Sequence, residues 1–318
     1  MATVNTVLGS VETENLGFTL MHEHLLTAAG GVYRDYPELL GTNLMERMVD
    51  VLKKEKEGGV DTIVDATTPD LGRDINLMAE VSRRSGVNII ACAGWWLDIP
   101  TFFNNVSADQ LAEVFTREIQ HGISGTNIKA GILKSASDLE GVTPKAETVL
   151  RAVARAHHKT GVPIMLHSYA PARVGQRQLA ILKEEGVDLS RVKVDHSNDT
   201  TDLEYLLWIR EQGCYLGFDR YPGRNVSSLA RTKTLKALID EGCADHICPS
   251  HDWPILRIIA GHPERDPYGT EEARQKYNPY GHLYMKEVVF TQLRDMGVSE
   301  AILGSLCVDG PRNFFEGV

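Results

Sequence analysis

In the stretch TLMHEHLLTA, Thr19 to Ala28, two histidines flank a glutamate near the start of the chain. Residues two apart on a strand share a face, so His22 and His24 can converge on one point, and two imidazoles at that spacing suit a divalent transition metal. Alone, the pattern is more often incidental than a metal site. The protease signature HExxH does not apply, because Leu26 stands where its second histidine belongs, and the deaminase pattern HxE fails at His24. Glu23 points away from both histidines and reads as structural.

Four further groups strengthen the reading. Lys134 ends IKAGILK, His167 ends VPIMLH, His196 ends VKVDH and Asp252 ends HICPSHD. Each is a titratable side chain at the carboxyl end of an apolar run that predicts a strand. Four histidines with Asp252 exceed the three protein ligands usual for one catalytic zinc, which points to two metals. Lys134 ligates only if it loses its charge, by deprotonation or by carbamylation with carbon dioxide, which creates an anion able to bridge two ions. His251 alternates to the opposite face, and His157 and His158 read as solvated or capping groups on a helix.

The elements that must position these groups are legible as runs. Strands are expected at Phe18–Met21, Asp61–Ala66, Val87–Ala93, Ile128–Leu133, Val162–Leu166, Val192–Val194, Tyr215–Phe218 and Ile247–Cys248. Their continuous apolar character suits parallel strands covered on both faces. Between them, VTPKAETVLRAVARAHHKTG carries an N-cap at Thr143, proline at the first helical position and a stop at Gly161. Helices are likewise expected from Asn43 to Glu57, Ala108 to Gln120, Pro171 to Glu185, Asp202 to Gln212 and Ser227 to Asp240. About eight strand–helix alternations predict an α/β fold, a (β/α)8 TIM barrel forming one domain over residues 1–318. Its metal centre would lie at the C-terminal ends of the strands, where such barrels assemble active sites. The polar stretch Arg257 to Pro279 would either cover the mouth or be a solvated connection.

The 43 acidic and 33 basic side chains give a formal charge of -10, which disfavours nucleic acid and anionic membrane as partners. Five scattered cysteines without CxxC fit free thiols in a reducing compartment, and neither a secretion signal nor an 18-residue apolar segment is recognisable. A cytoplasmic protein is expected.

With LGFTLMHEHL, GISGTNIKAGILK, LHS at His167, DHSND at His196, GFDRYP at Arg220 and SHDW at Asp252, the chain resembles, over nearly its whole length, the phosphotriesterase-like members of the amidohydrolase superfamily, including the phosphotriesterase-like lactonases. The resemblance implies that His22, His24 and Asp252 hold a more buried metal ion and that His167 and His196 hold a more exposed one. A carbamylated Lys134 and a hydroxide would bridge the two. The ions would be zinc, cobalt, manganese or iron. Two cations lower the pKa of a bridging water and polarise a carbonyl or phosphoryl oxygen. Asp252 is then either a proton carrier to the leaving group or a ligand only.

In the lactonase branch an arginine of a DRYG-like motif lies beside the metals, and Arg220 takes that place, with Pro222 where the branch has glycine. An ion pair with Asp219 or a neighbouring loop is its bland alternative. Trp95 and Trp96 stand where lactonases tend to carry tyrosine, and either lines a substrate groove or packs in the core. Ile255, Leu256, Ile258 and Ile259 suit an acyl tail or a buried helical turn. The expected activity is opening of lactones, N-acyl-homoserine lactones first, with weak phosphotriester hydrolysis. A phosphotriesterase or amidase on the same metals, a non-catalytic binding barrel and an isomerase or aldolase are the rivals. The expected partner is a small-molecule lactone or ester, and the resemblance adds a homodimer.

Overall fold

The computed structural model describes residues 2–223, 225–257 and 270–317. The chain opens with an antiparallel hairpin, β1 (Thr3–Thr6) and β2 (Gly9–Glu12). Nine strands follow: β3 (Thr19–Thr27), β4 (Thr62–Asp65), β5 (Asn88–Gly94), β6 (Ile132–Ala136), β7 (Ile164–His167), β8 (Val192–Val194), β9 (Tyr215–Phe218), β10 (Ile247–Pro249) and β11 (Pro254–Arg257). They form one parallel sheet in the order β10-β9-β8-β7-β6-β5-β4-β3-β11, with helices in the crossovers. β10 pairs with β9 while β11 pairs with β3, so residues 247–257 border both edges of the sheet, and the Asp252 N–H donates to the His22 carbonyl at 3.0 Å. The sheet is therefore curled on itself in the manner of a TIM barrel.

Helix punctuation follows the sequence closely. Thr143 caps the helix Pro144–Thr160 by accepting from the Ala146 N–H, and Gly161 ends it at φ +72. The segment from Pro171 to Glu185 departs from expectation. A short turn at Ala170–Ala172 ends on Arg173 at φ +52, and the helix proper is Gly175–Glu184. β6 also starts later than its apolar run. Asn5 Nδ2 donates to the Ala130 carbonyl at 3.1 Å, and a β-carbon on Gly131 would stand 2.4 Å from the Asn5 carbonyl. The hairpin β1–β2 thus holds the backbone before Ile132, and Lys134 lies in mid-strand opposite Gly94 and Met165.

Alternation along the strands sorts two apolar layers. Ile63, Ile89, Leu133 and Ile164 join the large core between sheet and helices. Met21, Val64, Ile90, Ile132 and Met165 join a smaller inner core with Phe314 and Phe315. Counting by twos from Ile132 and Met165 places Lys134 and His167 on the inner face. The histidines of β3 need one more device. Its pairing with β4 shifts between Leu20 and Glu23, a bulge that inserts a residue and turns His22 inward beside Met21. Without it, His22 would share the outward face of Leu20.

Outside the inner face, His282 lies between two buried carboxylates, with Nδ1 3.0 Å from Glu55 and Nε2 3.1 Å from Glu23. Burial alone would press its pKa down, but Glu23 and Glu55 hold it well above the ordinary imidazole value. A base raised in the folded state stabilises fully below its unfolded pKa, about 6.5, and loses that contribution as pH rises through the folded value. His282→Gln is therefore expected to cost about 3 kcal/mol or more at pH 6, the scale of a broken buried ion pair. The gap to wild type should narrow in alkaline buffer. Urea unfolding of both proteins across pH checks this, and a pH-independent gap would contradict it.

No helix among the described residues is long and apolar enough to cross a membrane.

Candidate metal centre

All six residues read from the sequence as ligands meet at one end of the curled sheet. His22 Nε2 and His24 Nε2 face Asp252 Oδ1 at 3.6 and 3.1 Å, and Lys134 Nζ lies 3.5 Å from His22 Nε2. His167 Nδ1 and His196 Nε2 stand 2.8 Å apart, close enough for one ion to take both at the usual distance of about 2.0–2.1 Å. The two groups adjoin, with the His22 and His196 ring centroids 5.1 Å apart. His167 and His196 are no more accessible than His22 and His24, with side-chain exposures of 5 and 0 % against 1 and 4 %.

The other nitrogen of each ring has a partner, and this fixes which nitrogen turns to the centre. His22 Nδ1 donates to Asp219 Oδ2 at 2.9 Å, His196 Nδ1 to Asp219 Oδ1 at 3.0 Å, His24 Nδ1 to the Thr67 hydroxyl at 2.8 Å and His167 Nε2 to Asp138 at 3.1 Å. Such outer contacts hold a metal-binding imidazole in one tautomer and orientation. One carboxylate, Asp219, thereby orients a histidine from each group. Sequence reading missed this role and offered Asp219 as a partner for Arg220. The period-two run Tyr215, Gly217, Asp219 was the available signal, since it sets Asp219 on the inner face. Gly217 makes the room: a β-carbon there would stand 2.6 Å from Asp195 Oδ1 and 2.8 Å from Asp219 Oδ2.

Beneath the histidines, Asp195 and Asp219 are themselves a second carboxylate cluster with His22. Lys193, fully buried, already supplies its cation, in contact with Asp195 and 3.8 Å from Asp219. Lys134 differs. Its Nζ donates to the Ala66 carbonyl at 2.9 Å, and no carboxylate pairs with it among the described residues. A buried ammonium without a counter-charge is costly.

Electrostatics prepare the donors. Burial lowers the pKa of His24, His167 and His196, and Arg220 adds to the effect on the last two, which favours the neutral form that can ligate. Burial and Lys134 also press His22 down, but Asp195 and Asp219 prevail and hold it at about 9. An ion at His22 would replace that proton. Burial opposes ionisation of Asp252, yet His22, His24, His196 and Arg220 keep its carboxyl well below the usual range.

Two backbone features complete the centre. His196 and Asp252 both adopt left-handed φ, +61 and +51, the kind of local strain that concentrates at functional sites. Gly94 closes the end of β5, where a β-carbon would meet the Lys134 carbonyl at 1.9 Å.

A cavity of about 650 Å³ opens over the cluster and is lined by His22, His24, Lys134, His167, Arg220 and Asp252. Arg220 Nε donates to Asp252 Oδ2 at 3.0 Å and its guanidinium also pairs with Asp199, so its ion partners are these and not Asp219. Of the two tryptophans, Trp96 lines the cavity, its indole N–H 3.3 Å from His167 Nδ1. Trp95 turns away, donating to the Asp98 carbonyl and packing on Phe103, because the loop after Gly94 can point only one of two adjacent rings inward. Ile255 and Leu256 pack on the outer core instead of the cavity, and Ile258 and Ile259 lie outside the described residues. His251 turns to Glu23, and His157 is buried against the Val162 carbonyl rather than solvated. The walls near the mouth add Trp253, with Arg274 4.6 Å over its ring and Tyr277 stacked on it, which sequence reading did not single out.

Comparison with known proteins places this arrangement. The sequence model of the phosphotriesterase family matches residues 2–315. A phosphotriesterase homology protein of Mycobacterium tuberculosis is 37% identical, over 99% of this chain and 98% of its own. An aryldialkylphosphatase of Saccharolobus solfataricus is 35% identical, over 96% and 97%. An N-acetyltaurine hydrolase of Homo sapiens is 27% identical, over 98% and 97%. The family's chemistry is metal-dependent, and the histidine and aspartate groups described above could bind a metal. With its curled parallel sheet, inward histidines and a match over nearly its full length, the chain belongs to the phosphotriesterase family and is a hydrolase.

Proposed function

We propose that this hydrolase opens lactone rings, with N-acyl-homoserine lactones as the leading substrates, on a centre of two divalent ions. The observation that carries the reading is the convergence of His22, His24, Lys134, His167, His196 and Asp252 at one end of the sheet, beneath a cavity that all but His196 line, with His24 held from behind by Thr67, His167 by Asp138, and His22 and His196 by Asp219. His22, His24 and Asp252 would hold one ion and His167 and His196 the other. Lys134, carbamylated by carbon dioxide, would be a ligand shared by both. When bound, the ions supply a nucleophile derived from water at neutral pH and polarise the carbonyl oxygen.

The remaining steps belong to the chain. Asp252, ionised and fixed between His24 and Arg220, takes the proton released on attack and delivers it to the leaving alkoxide. Arg220 holds that carboxylate and presents the rest of its guanidinium to the cavity. Trp96 offers its indole N–H to a substrate oxygen beside His167.

A second reading, hydrolysis of phosphotriesters or amides on the same centre, draws on the relatives named aryldialkylphosphatase and N-acetyltaurine hydrolase. Turnover of a homoserine-lactone series, a paraoxon-like triester and N-acetyltaurine by metal-replete protein ranks the two. The lactones are expected to give the highest kcat/KM, with oxygen from labelled water in the product. No lactone turnover alongside brisk triester or amide hydrolysis would reject the first reading.

A further inference from the structure

Glu23, between the two histidines of β3, has no part in the chemistry above, yet its carboxylate is fully buried and collects an unusual set of donors. Oε1 accepts from the Ser250 hydroxyl at 2.7 Å, from the His251 N–H at 3.0 Å and from His251 Nδ1 at 2.6 Å. Oε2 accepts from the Trp253 N–H at 3.3 Å and faces His282 Nε2 at 3.1 Å. Ser250, His251 and Trp253 all belong to the break between β10 and β11, and the two backbone donors immediately precede and follow Asp252.

The geometry of the break needs such a hold. Asp252 is left-handed at φ +51, a conformation that costs any residue with a β-carbon, though aspartate less than most, and that contacts on both sides help to hold. The donors are themselves oriented: Met285 donates its N–H to His251 Nε2 at 3.2 Å, which leaves the ring proton on Nδ1 for Glu23. His282 Nε2 also lies 2.7 Å from the Trp253 carbonyl, so it braces the clamp at both ends.

We propose that Glu23 is a positioning residue for Asp252. From behind the sheet, its carboxylate fixes the N–H groups of the two residues on either side of Asp252 and so aims that side chain at His22 and His24 on one side and Arg220 on the other. The proposal rests on the reading of Asp252 as a ligand of the first ion. A carboxylate that merely satisfied its neighbours would affect stability, whereas a clamp also controls how firmly one particular ion is held.

Glu23→Gln separates the two. One oxygen can still accept from Ser250 and His251, but the amide nitrogen then meets the Trp253 N–H and His282, donor against donor. His282 keeps Glu55 as its counter-charge, which favours a folded variant. Cobalt titration with a competing chelator gives the affinity of each ion, anomalous diffraction assigns its site, and visible absorption reports its coordination. Glu23→Gln is expected to weaken the ion at His22, His24 and Asp252 by roughly 10–100-fold and to alter its spectrum, with the ion at His167 and His196 unchanged. His282→Gln, which leaves the Ser250, His251 and Trp253 donors in place, should give a smaller loss at the same site, and it carries the test if Glu23→Gln does not fold. Wild-type affinities and spectrum in the variants, whatever happens to Tm, would overturn the proposal. If the wild-type protein binds no cobalt, the reading of the centre fails instead, and the positioning role is then decided by the crystal structure of Glu23→Gln: a retained left-handed Asp252 refutes it.

Discussion

Lys134→Met is expected to abolish hydrolysis, by roughly 10³-fold or more, while leaving the metal-free fold at least as stable as metal-free wild type. The two halves of this outcome have separate causes. On the functional side, Lys134 is proposed as a shared ligand of both ions, and loss of transition-state stabilisation by several kcal/mol corresponds to that factor. Metal content should drop below two ions per chain. On the stability side, Nζ is buried with the Ala66 carbonyl and His22 as its partners and no carboxylate among the described residues. Exchanging an unpaired buried ammonium for an apolar chain of similar length removes a desolvation cost. If carbamylation is the route, added bicarbonate should hasten metal uptake by wild type and have no effect on the variant. Elemental analysis, steady-state kinetics and thermal unfolding check these expectations together. A variant with two tightly bound ions and normal turnover would refute the bridging role.

Arg220→Met is expected to lower kcat/KM on the order of 10²-fold with both ions retained. Its guanidinium is one end of a chain of charges. Arg231, fully buried, donates to the Asn198 carbonyl at 2.6 Å and to Asp199 Oδ1 at 2.7 Å, and Asp199 in turn pairs with Arg220, which reaches Asp252. Truncating one partner of a fully buried charge pair costs about 2–5 kcal/mol; this pair is partly exposed, so the lower end applies, and the cost falls on the orientation of Asp252 and on the substrate beside it. Arg220→Lys should recover little, because one ammonium cannot reproduce a planar fork that meets Asp252 through Nε and Asp199 through Nη1. The same kinetics with parallel metal assays distinguish this from Lys134→Met, where the ions themselves are lost. Unimpaired turnover in Arg220→Met would leave the residue as a surface of the cavity and nothing more.

Much of this molecule was readable as a string. Val192–Val194 and Tyr215–Phe218 are strands with the bounds their apolar runs suggest, and Ala108–Gln120 is a helix from its serine cap to its last turn. These are local effects: β-branched runs, capping hydroxyls and terminal glycines act within a few residues, and their spacing survives in one dimension. The six candidate ligands were found for a related reason. Charged or imidazole groups at the ends of apolar runs are costly unless they have a purpose, so they stand out before any fold is known.

What the sequence could not supply is everything that depends on the partner across the barrel. Strict alternation from Leu20 would have turned His22 outward, and only the bulge against β4 turns it in. The start of β6 was misplaced because a hairpin more than a hundred residues away holds the preceding backbone. Trp95 and Trp96 are the same residue type side by side, and nothing in their order says that one reaches His167 and the other Phe103. Thr67 and Asp138 were invisible as groups that orient the histidines, since they act on residues 43 and 29 positions away. The sequence by itself therefore determined the elements, the family and the chemical character of the donors. Tertiary structure alone decided which nitrogen of each ring faces the centre, which of two tryptophans meets the cavity, and why Glu23 stands between two histidines. Hydrogen bonds and packing across a closed sheet join residues by distance in space, and that distance has no fixed relation to separation along the chain.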